Sequence, residues 1–474
     1  MIKYRPLVLG KGEAMAYNFK ECNRQQIYLM PPSLQEWLPE KDIAWFIIDV
    51  VEQMDLSGYY RKYRADGRGQ EAYDPAMMVA LLLYAYSNGI RSSRAIERLC
   101  GRDIGFKVIT GGEEPDHTTI ARFRQENGKG IEELFTEALK LCAKAGLVKV
   151  GIVALDGTKM KADAALESNR TYEHIQSEVK KMLAEAEAKD AEEDKLYGKD
   201  KRGDELPEEL QDRRSRLTRL KECKARLEHE KAERVAKQKE KIEEREKQES
   251  ETGKKKRGRK PKEPDAFSNA DTKANVTDPD SRIMKTRTGY VQGYNGQAVV
   301  TESQIIIAAE LTTQENDVKQ LLPMIEKAEE NIAELKLNDK GIGVVLADAG
   351  YCSDANMENT KLDGPECIIA TKKDWKQRQA TKEADPPRGR IPEKLSLRER
   401  MERKLLTKRG RALYKKRGQI VEPVFGQIKT CRGILKFMRR GLEVCAQEWK
   451  LICATHNLLK LWRSGKAITL PIAA

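Results

Sequence analysis

Two short apolar runs, far apart in the chain, end in the same way, and they limit what it can fold into more than any other feature. Gly341 to Cys352 reads GIGVVLADAGYC, and Val150 to Gly157 reads VGIVALDG. Val344, Val345 and Leu346 predict a strand buried on both faces, with Asp348 where that strand leaves the core at a glycine turn. The upstream run places Asp156 in the same position before Gly157, although an Asp-Gly pair alone is more often an ordinary turn. A strand end is a rigid place to hold an acid.

A third acid, Glu422, lies in YKKRGQIVEPVFGQIK, within a basic, helix-prone region. Its neighbours Ile420, Val421, Val424 and Phe425 predict that it is partly buried, and a partly buried carboxylate needs a partner. Three carboxylates from distant segments suit hard divalent cations, which take oxygen ligands and leave positions open for phosphate.

Composition agrees with a polyanionic partner. The chain of 474 residues carries a formal net charge of +13 and a pI near 9.1, which favours nucleic acid. No apolar run approaches the ~18 residues of a membrane helix. The opening MIKYRPLVLGKGEA has no apolar core before a small-residue cleavage site, so cytoplasmic residence is expected. Nine cysteines, never spaced as CxxC, argue against a disulfide scaffold or zinc ribbon, and four dispersed histidines argue against a His-based metal site. A metal here would be held by oxygen.

The chain divides into three parts. Residues 1–148 predict an all-α domain of short capped helices, with MMVALLLYAYSNG at its centre. PDHTTIARFRQEN presents Arg122 and Arg124 around Ile120 and Phe123, as a helix-turn-helix would toward DNA. Residues 166–284 form a charged insertion and linker. Two long helices fold back as a hairpin on a thin seam of Ile175, Val179, Met182 and Leu183 against Leu210, Leu217, Leu220 and Leu227. The linker GKKKRGRKPKEP offers Arg257 and Arg259 to phosphate; it resembles an AT-hook, with Lys260 set between Arg259 and Pro261.

Residues 149–165 and 285–474 carry the remaining pattern. It runs strand with acid, a hairpin with Glu302 and Ser303 at its turn, helix, strand with acid, strand, and basic helix with acid. The final helix is read as a packing helix, with Trp462 along its apolar side and Trp449 nearer the edge. This is the order of a ribonuclease-H-like mixed sheet with flanking helices, an α/β fold interrupted after its first strand. Such a fold brings Asp156, Asp348 and Glu422 within reach of two shared cations.

VALDGTKMKADAA, GYVQGYNGQAVV, LADAGYCS and YKKRGQIVEPVFGQIK together resemble a DDE transposase of a bacterial insertion sequence, in the branch with a C-terminal Tyr, Arg, Glu, Lys signature. The stretch from YDPAMMVALLLYAYSNGIRSSRAIE to PDHTTIARFR is similar to the helical region preceding the catalytic core in such proteins. The resemblance implies that Asp156, Asp348 and Glu422 form the metal-binding triad, with 73 residues between the last two. It also implies that Tyr414, Arg417 and Lys429 contact transposon-end phosphates. Four residues separate Arg417 from Glu422, where the usual signature has three.

The implied activity is cleavage of DNA at the element's ends and joining of the 3′ ends to target DNA, with two Mg2+ ions, or Mn2+ in their place. The implied partners are double-stranded DNA and a second copy of the chain. Two other readings remain open at this point: a ribonuclease-H-like nuclease or inactive transposase-derived DNA-binding protein, and a non-enzymatic DNA-binding protein built on the charged arm.

Overall fold

The computed structural model describes residues 36–63, 72–197, 208–252, 263, 272–286, 288–335, 341–359, 364–372, 379, 383–392 and 394–466, without the side chains of 186–197 and 208–215. Arg257 and Arg259 lie outside the described residues, as does Leu210's side chain.

Seven helices come first: α1 (Ile43–Glu52), α2 (Ser57–Tyr60), α3 (Pro75–Ser87), α4 (Ser93–Cys100), α5 (Ile104–Thr110), α6 (His117–Glu126) and α7 (Gly128–Lys144). Four of them, α1, α3, α5 and α6, start on acids that accept otherwise unpaired amides. Asp42 takes Ala44 N at 2.8 Å, Asp103 takes Phe106 N at 3.1 Å, and Asp116 takes Thr118 N and Thr119 N. Asp74 caps α3 with Pro75 at its first position, where a missing N–H costs nothing. From Met78 to Ser87 every residue of α3 is buried, as its all-round apolar pattern requires.

A six-stranded mixed sheet follows, made of β1 (Ile152–Lys161), β4 (Arg282–Thr286), β5 (Gly289–Thr301), β6 (Ile306–Thr312), β7 (Val344–Ala347) and β8 (Glu366–Ile369). Strand β5 pairs antiparallel with β1, β4 and β6, whereas β1, β7 and β8 run parallel. The hairpin turn sits where the sequence puts it, after Thr301, with Gln304 at a φ of 61°. Helix α10 (Leu321–Glu334) carries the chain from β6 toward β7, and α11 (Asp354–Asn359) lies between β7 and β8. Three helices close the described chain: α12 (Leu397–Leu406), α13 (Lys408–Gly426) and α14 (Leu442–Arg463).

The sheet and the N-terminal helices share one apolar core. Helix α14 joins them, packing on α3 and α7 on one side and on β6 on the other. Its sides are not those the sequence suggests: Trp449 is fully buried and donates Nε1 to Gln297 O at 3.2 Å, while Trp462 is half-buried. A buried indole is costly unless its N–H finds an acceptor, and Gln297 supplies it. Arg91, after α3, reaches across to Glu448 on α14 at 3.2 Å, a buried pair that ties the two layers.

Between β1 and β4 the chain leaves the core. Helices α8 (Tyr172–Tyr197) and α9 (Glu208–Thr252) form a hairpin, with a two-stranded ladder, β2 (Asn169–Thr171) against β3 (Lys273–Asn275), at its base. Its separate apolar cluster is small: Ile175, Val179, Leu220, Cys223, Leu227 and Ala274. Leu183, expected in the seam, is exposed. At 45 residues α9 outruns its 26-residue partner, reaching ~68 Å at 1.5 Å per residue.

Candidate functional site

The parallel ladder between β1 and β7 ends at Leu155 opposite Ala347. Asp156 and Asp348 are the next residues on the two strands, so backbone register alone sets them side by side. Asp156 is not at a turn, however. Strand β1 runs on to Lys161, paired with β5, and Asp156 sits opposite Ala298. Gly157 serves close approach instead: a Cβ there would lie 2.7 Å from Asp317 Oδ1 and 3.0 Å from Asn295 Oδ1. The chain does turn after Asp348, whose Oδ1 accepts Gly350 N at 2.7 Å.

Between the two acids lies a guanidinium. Arg417 Nη2, from α13, is 2.7 Å from Asp156 Oδ2 and 4.0 Å from Asp348 Oδ2, with its side chain 12% exposed. Burial works against that charge, yet Asp156, Tyr414, Asp348 and Glu422 together hold its pKa above the ordinary value. Asp156 behaves conversely. Burial pushes its carboxyl up to about 6 against the pull of Arg417, and Asp348 and Asp317 add to the rise.

Glu422 departs from expectation. Its neighbours Ile420, Val421 and Val424 are buried as predicted, but Glu422 itself is exposed. Its Oε1 leans toward Gly418, 3.4 Å from where a Cβ would lie. Pro423 neither starts nor breaks the helix. It cannot donate to Gln419 O, one turn back, and that carbonyl accepts Gln304 Nε2 at 3.1 Å instead.

Beyond Gly426 the helix loosens into a π-helical turn, Gln427–Cys431. That turn changes the phase, and Lys429 donates to Lys159 O of β1 at 2.6 Å rather than standing free for phosphate. Burial first, and then Lys159, lower its ammonium to about 8. Tyr414 is half-buried against the shared core.

On α6 the two predicted arginines part. Arg122 is exposed and lines a cleft of about 660 Å3 with Arg91, Arg94, His117, Gln125 and Met438. Arg124 is buried and cross-links its neighbours, donating Nη1 to Arg91 O at 2.9 Å and Tyr86 OH at 3.2 Å, and Nη2 to Ser93 Oγ. Its expected DNA contact is therefore corrected: this side chain is spent inside the fold. Exposed Arg94, in the first turn of α4, lines the same cleft, and no local pattern in the sequence singles it out.

The sequence also gave no mark to Asp317. Its Oδ1 accepts Asn295 Nδ2 at 2.6 Å and Gln297 Nε2 at 2.8 Å, with Lys159 Nζ at 3.4 Å. The hydroxyl of buried Tyr351, three residues past Asp348, donates to Gln297 Oε1.

Among the described residues no group of three or more His, Cys, Asp or Glu side chains is arranged to hold a metal ion. A guanidinium provides the local positive charge. The donor chemistry nonetheless fits a hard cation: carboxylate oxygens on adjacent strands, and beside them Asn295 Oδ1, buried without a hydrogen-bond partner. Among the described residues, no helix is long and apolar enough to cross a membrane.

Comparison with known families gives two matches. Residues 32–126 match the family described as Transposase domain (DUF772), and residues 269–458 match the Transposase DDE domain. The second takes in Asp317, Asp348, Arg417 and Glu422; Asp156 lies upstream, brought in by the pairing of β1 with β5 and β7. No curated protein and no solved structure matches the chain.

Proposed function

Because this chain belongs to the DDE transposases of insertion sequences, we propose that it cleaves DNA at the ends of its element and joins the freed 3′ ends to target DNA. The observation that carries this reading is the placement of Asp156 and Asp348 immediately past the last pair of the parallel ladder between β1 and β7, with Arg417 between them. The order β6-β5-β1-β7-β8, antiparallel on one side and parallel on the other, supports a ribonuclease-H-like core. Residues 149–165 and 285–474 make up that core; 1–148 form the DNA-binding helical domain, and 166–284 the insertion.

Asp156, Asp348 and Glu422 would hold two Mg2+ ions, for which Mn2+ would substitute. Once bound, divalent ions supply activation of the attacking oxygen and stabilisation of the leaving oxygen at a phosphodiester. The chain's own side chains do the rest. The strand-held carboxylates fix where the reacting phosphate sits, and Arg417 exchanges its hold on Asp156 for a forked grip on phosphate oxygens. Glu422 reaches the site from its exposed place on α13. Tyr414 and Lys429 lie on the same segment and turn to phosphate when DNA is seated.

Arg122, with exposed Arg94 in the α4–α6 cleft, contacts the backbone of the element's end and fixes register without reading bases. The basic linker with Arg257 and Arg259 adds sequence-independent attraction. Two ends must be held together, so a homodimer is the working assembly on DNA.

The test is cleavage of a duplex carrying the DNA that flanks this reading frame, in Mg2+ or Mn2+. Asp348→Asn protein should lose cutting while still binding the duplex. Undiminished cutting would end the assignment.

A further inference from the structure

Asp317 precedes α10, on a different segment from either strand acid, yet its two oxygens lie against the glycines that follow them. A Cβ at Gly157 would lie 2.7 Å from Asp317 Oδ1; one at Gly350 would lie 3.3 Å from Asp317 Oδ2 and 2.8 Å from Asp348 Oδ1. The Asp317 carboxylate thus spans the space between the residues after Asp156 and after Asp348.

Its two oxygens are unequally treated. Oδ1 is held by the amides of Asn295 and Gln297, with Lys159 Nζ further off. Oδ2 faces the Asp348 turn. An acid serving only as an anchor for side-chain amides would need no second charged oxygen there. It would also add to the charge that already opposes ionisation of Asp156.

A second observation points to a ligand. Asn295 is fully buried, and its Oδ1 has no hydrogen-bond partner although its Nδ2 donates to Asp317 Oδ1 and Gln314 O. That oxygen lies 3.0 Å from the Cβ position of Gly157, in the same space as Asp317. An unpaired buried carbonyl is costly, and a hard cation is one partner that would satisfy it.

We propose that Asp317 is a fourth carboxylate of the metal centre, presenting Oδ2 to a divalent cation beside Asp348 while Asn295 and Gln297 fix Oδ1 from behind. The inference rests on reading Asp156 and Asp348 as metal-holding residues. Tyr351 links the two halves of this arrangement, since its hydroxyl donates to Gln297 and its amide to Asp348 O. The amides of β5 thereby set the orientation of Asp317 and the Asp348 turn together.

The experiment is calorimetric titration of the full-length chain with Mn2+ in the absence of DNA, accompanied by metal-free melting curves. Asp317→Asn retains the hydrogen-bonding shape and removes the charge, whereas Asp317→Glu retains the charge and alters the reach. Mn2+ affinity should fall about tenfold or more in Asp317→Asn, with Asp317→Glu retaining more of it, and the metal-free melting temperature of Asp317→Asn should hold. Wild-type affinity in Asp317→Asn, or Asp317→Asn outperforming Asp317→Glu, would reduce Asp317 to a hydrogen-bond anchor and overturn the proposal. Asp156→Asn separates the two levels. If the wild type binds Mn2+ and Asp156→Asn does not, an unaffected Asp317→Asn sinks this inference alone. No Mn2+ uptake by the wild type removes the metal reading and this inference with it.

Discussion

The strand-borne and helix-borne sides of this site are fixed in different ways. Asp156 and Asp348 are placed by backbone pairing, which leaves little freedom once β1 and β7 are in register. Arg417, Glu422 and Lys429 ride on a helix whose phase depends on Pro423, a borrowed hydrogen bond from Gln304 and a π-helical turn. Sequence placed the first pair side by side, but not the directions of the second group. Position along a strand tells which face a side chain takes; position along an interrupted helix does not.

Acid should have the largest effect on the helix-borne side. His456 on α14 is buried, with Nε2 3.0 Å from Gln304 O, the residue that also bonds Gln419 of α13. Burial lowers its pKa from 6.5 to about 3, and Arg432, Lys460 and Arg463 add to the effect. Between those values the unfolded chain binds a proton that the folded chain refuses, so stability falls as pH falls through that window. Chemical denaturation from pH 7 to 4 should show the loss, and His456→Gln should flatten the slope. An equal slope in the variant would detach this helix from the registration of α13.

Two glycine substitutions sharpen the contrast directly. Gly157→Ala forces a methyl group toward Gln297 and Asp317 and should cost about 1–3 kcal/mol, with cleavage impaired. Gly418→Ala on the helix meets only ordinary contacts, the nearest at 3.4 Å to Glu422, and should be neutral or stabilising by up to about 1 kcal/mol. Urea unfolding of both decides it. A tolerated Gly157→Ala would mean that the strand side is not rigid.

Arg124→Met should lower stability by about 2 kcal/mol, because Arg91 O and Ser93 Oγ lose their donor. Arg122→Ala, two residues earlier on the same helix, should leave melting unchanged and weaken duplex binding. A smaller loss than that of Arg124→Met is expected of Gln304→Ala, about 1 kcal/mol, from stranding the carbonyl opposite Pro423. If it costs nothing, solvent replaces the bond and Pro423 alone sets the helix phase.

These contrasts show what the residues disclosed and why. The run VVLA announces a buried strand because all its members are apolar, and Asp348 follows as its first polar residue. Asp156 reads as its counterpart, but Gly157 reads locally as a turn; only the crowding by side chains of β5 and of Asp317 explains a glycine inside a strand. Arg124 is one residue from Phe123 and two from Arg122, and which of them turns inward depends on α3 and α4, which no local pattern states. Asp317 in TTQENDVKQ has no periodicity around it. Its relation to Asp348 exists only through β5 and Tyr351.

The shared core also dictates an order of assembly. Helices α3 and α7 present their apolar surface to α14, which the ribosome makes only after the whole sheet and the charged arm. Throughout that interval the early helices wait with an unfinished face, and the α4–α6 cleft and the acid pair mature together. Synthesis itself thus delays the competent molecule until nearly all of its polypeptide is available, so that a prematurely stopped product lacks the brace on which both halves depend.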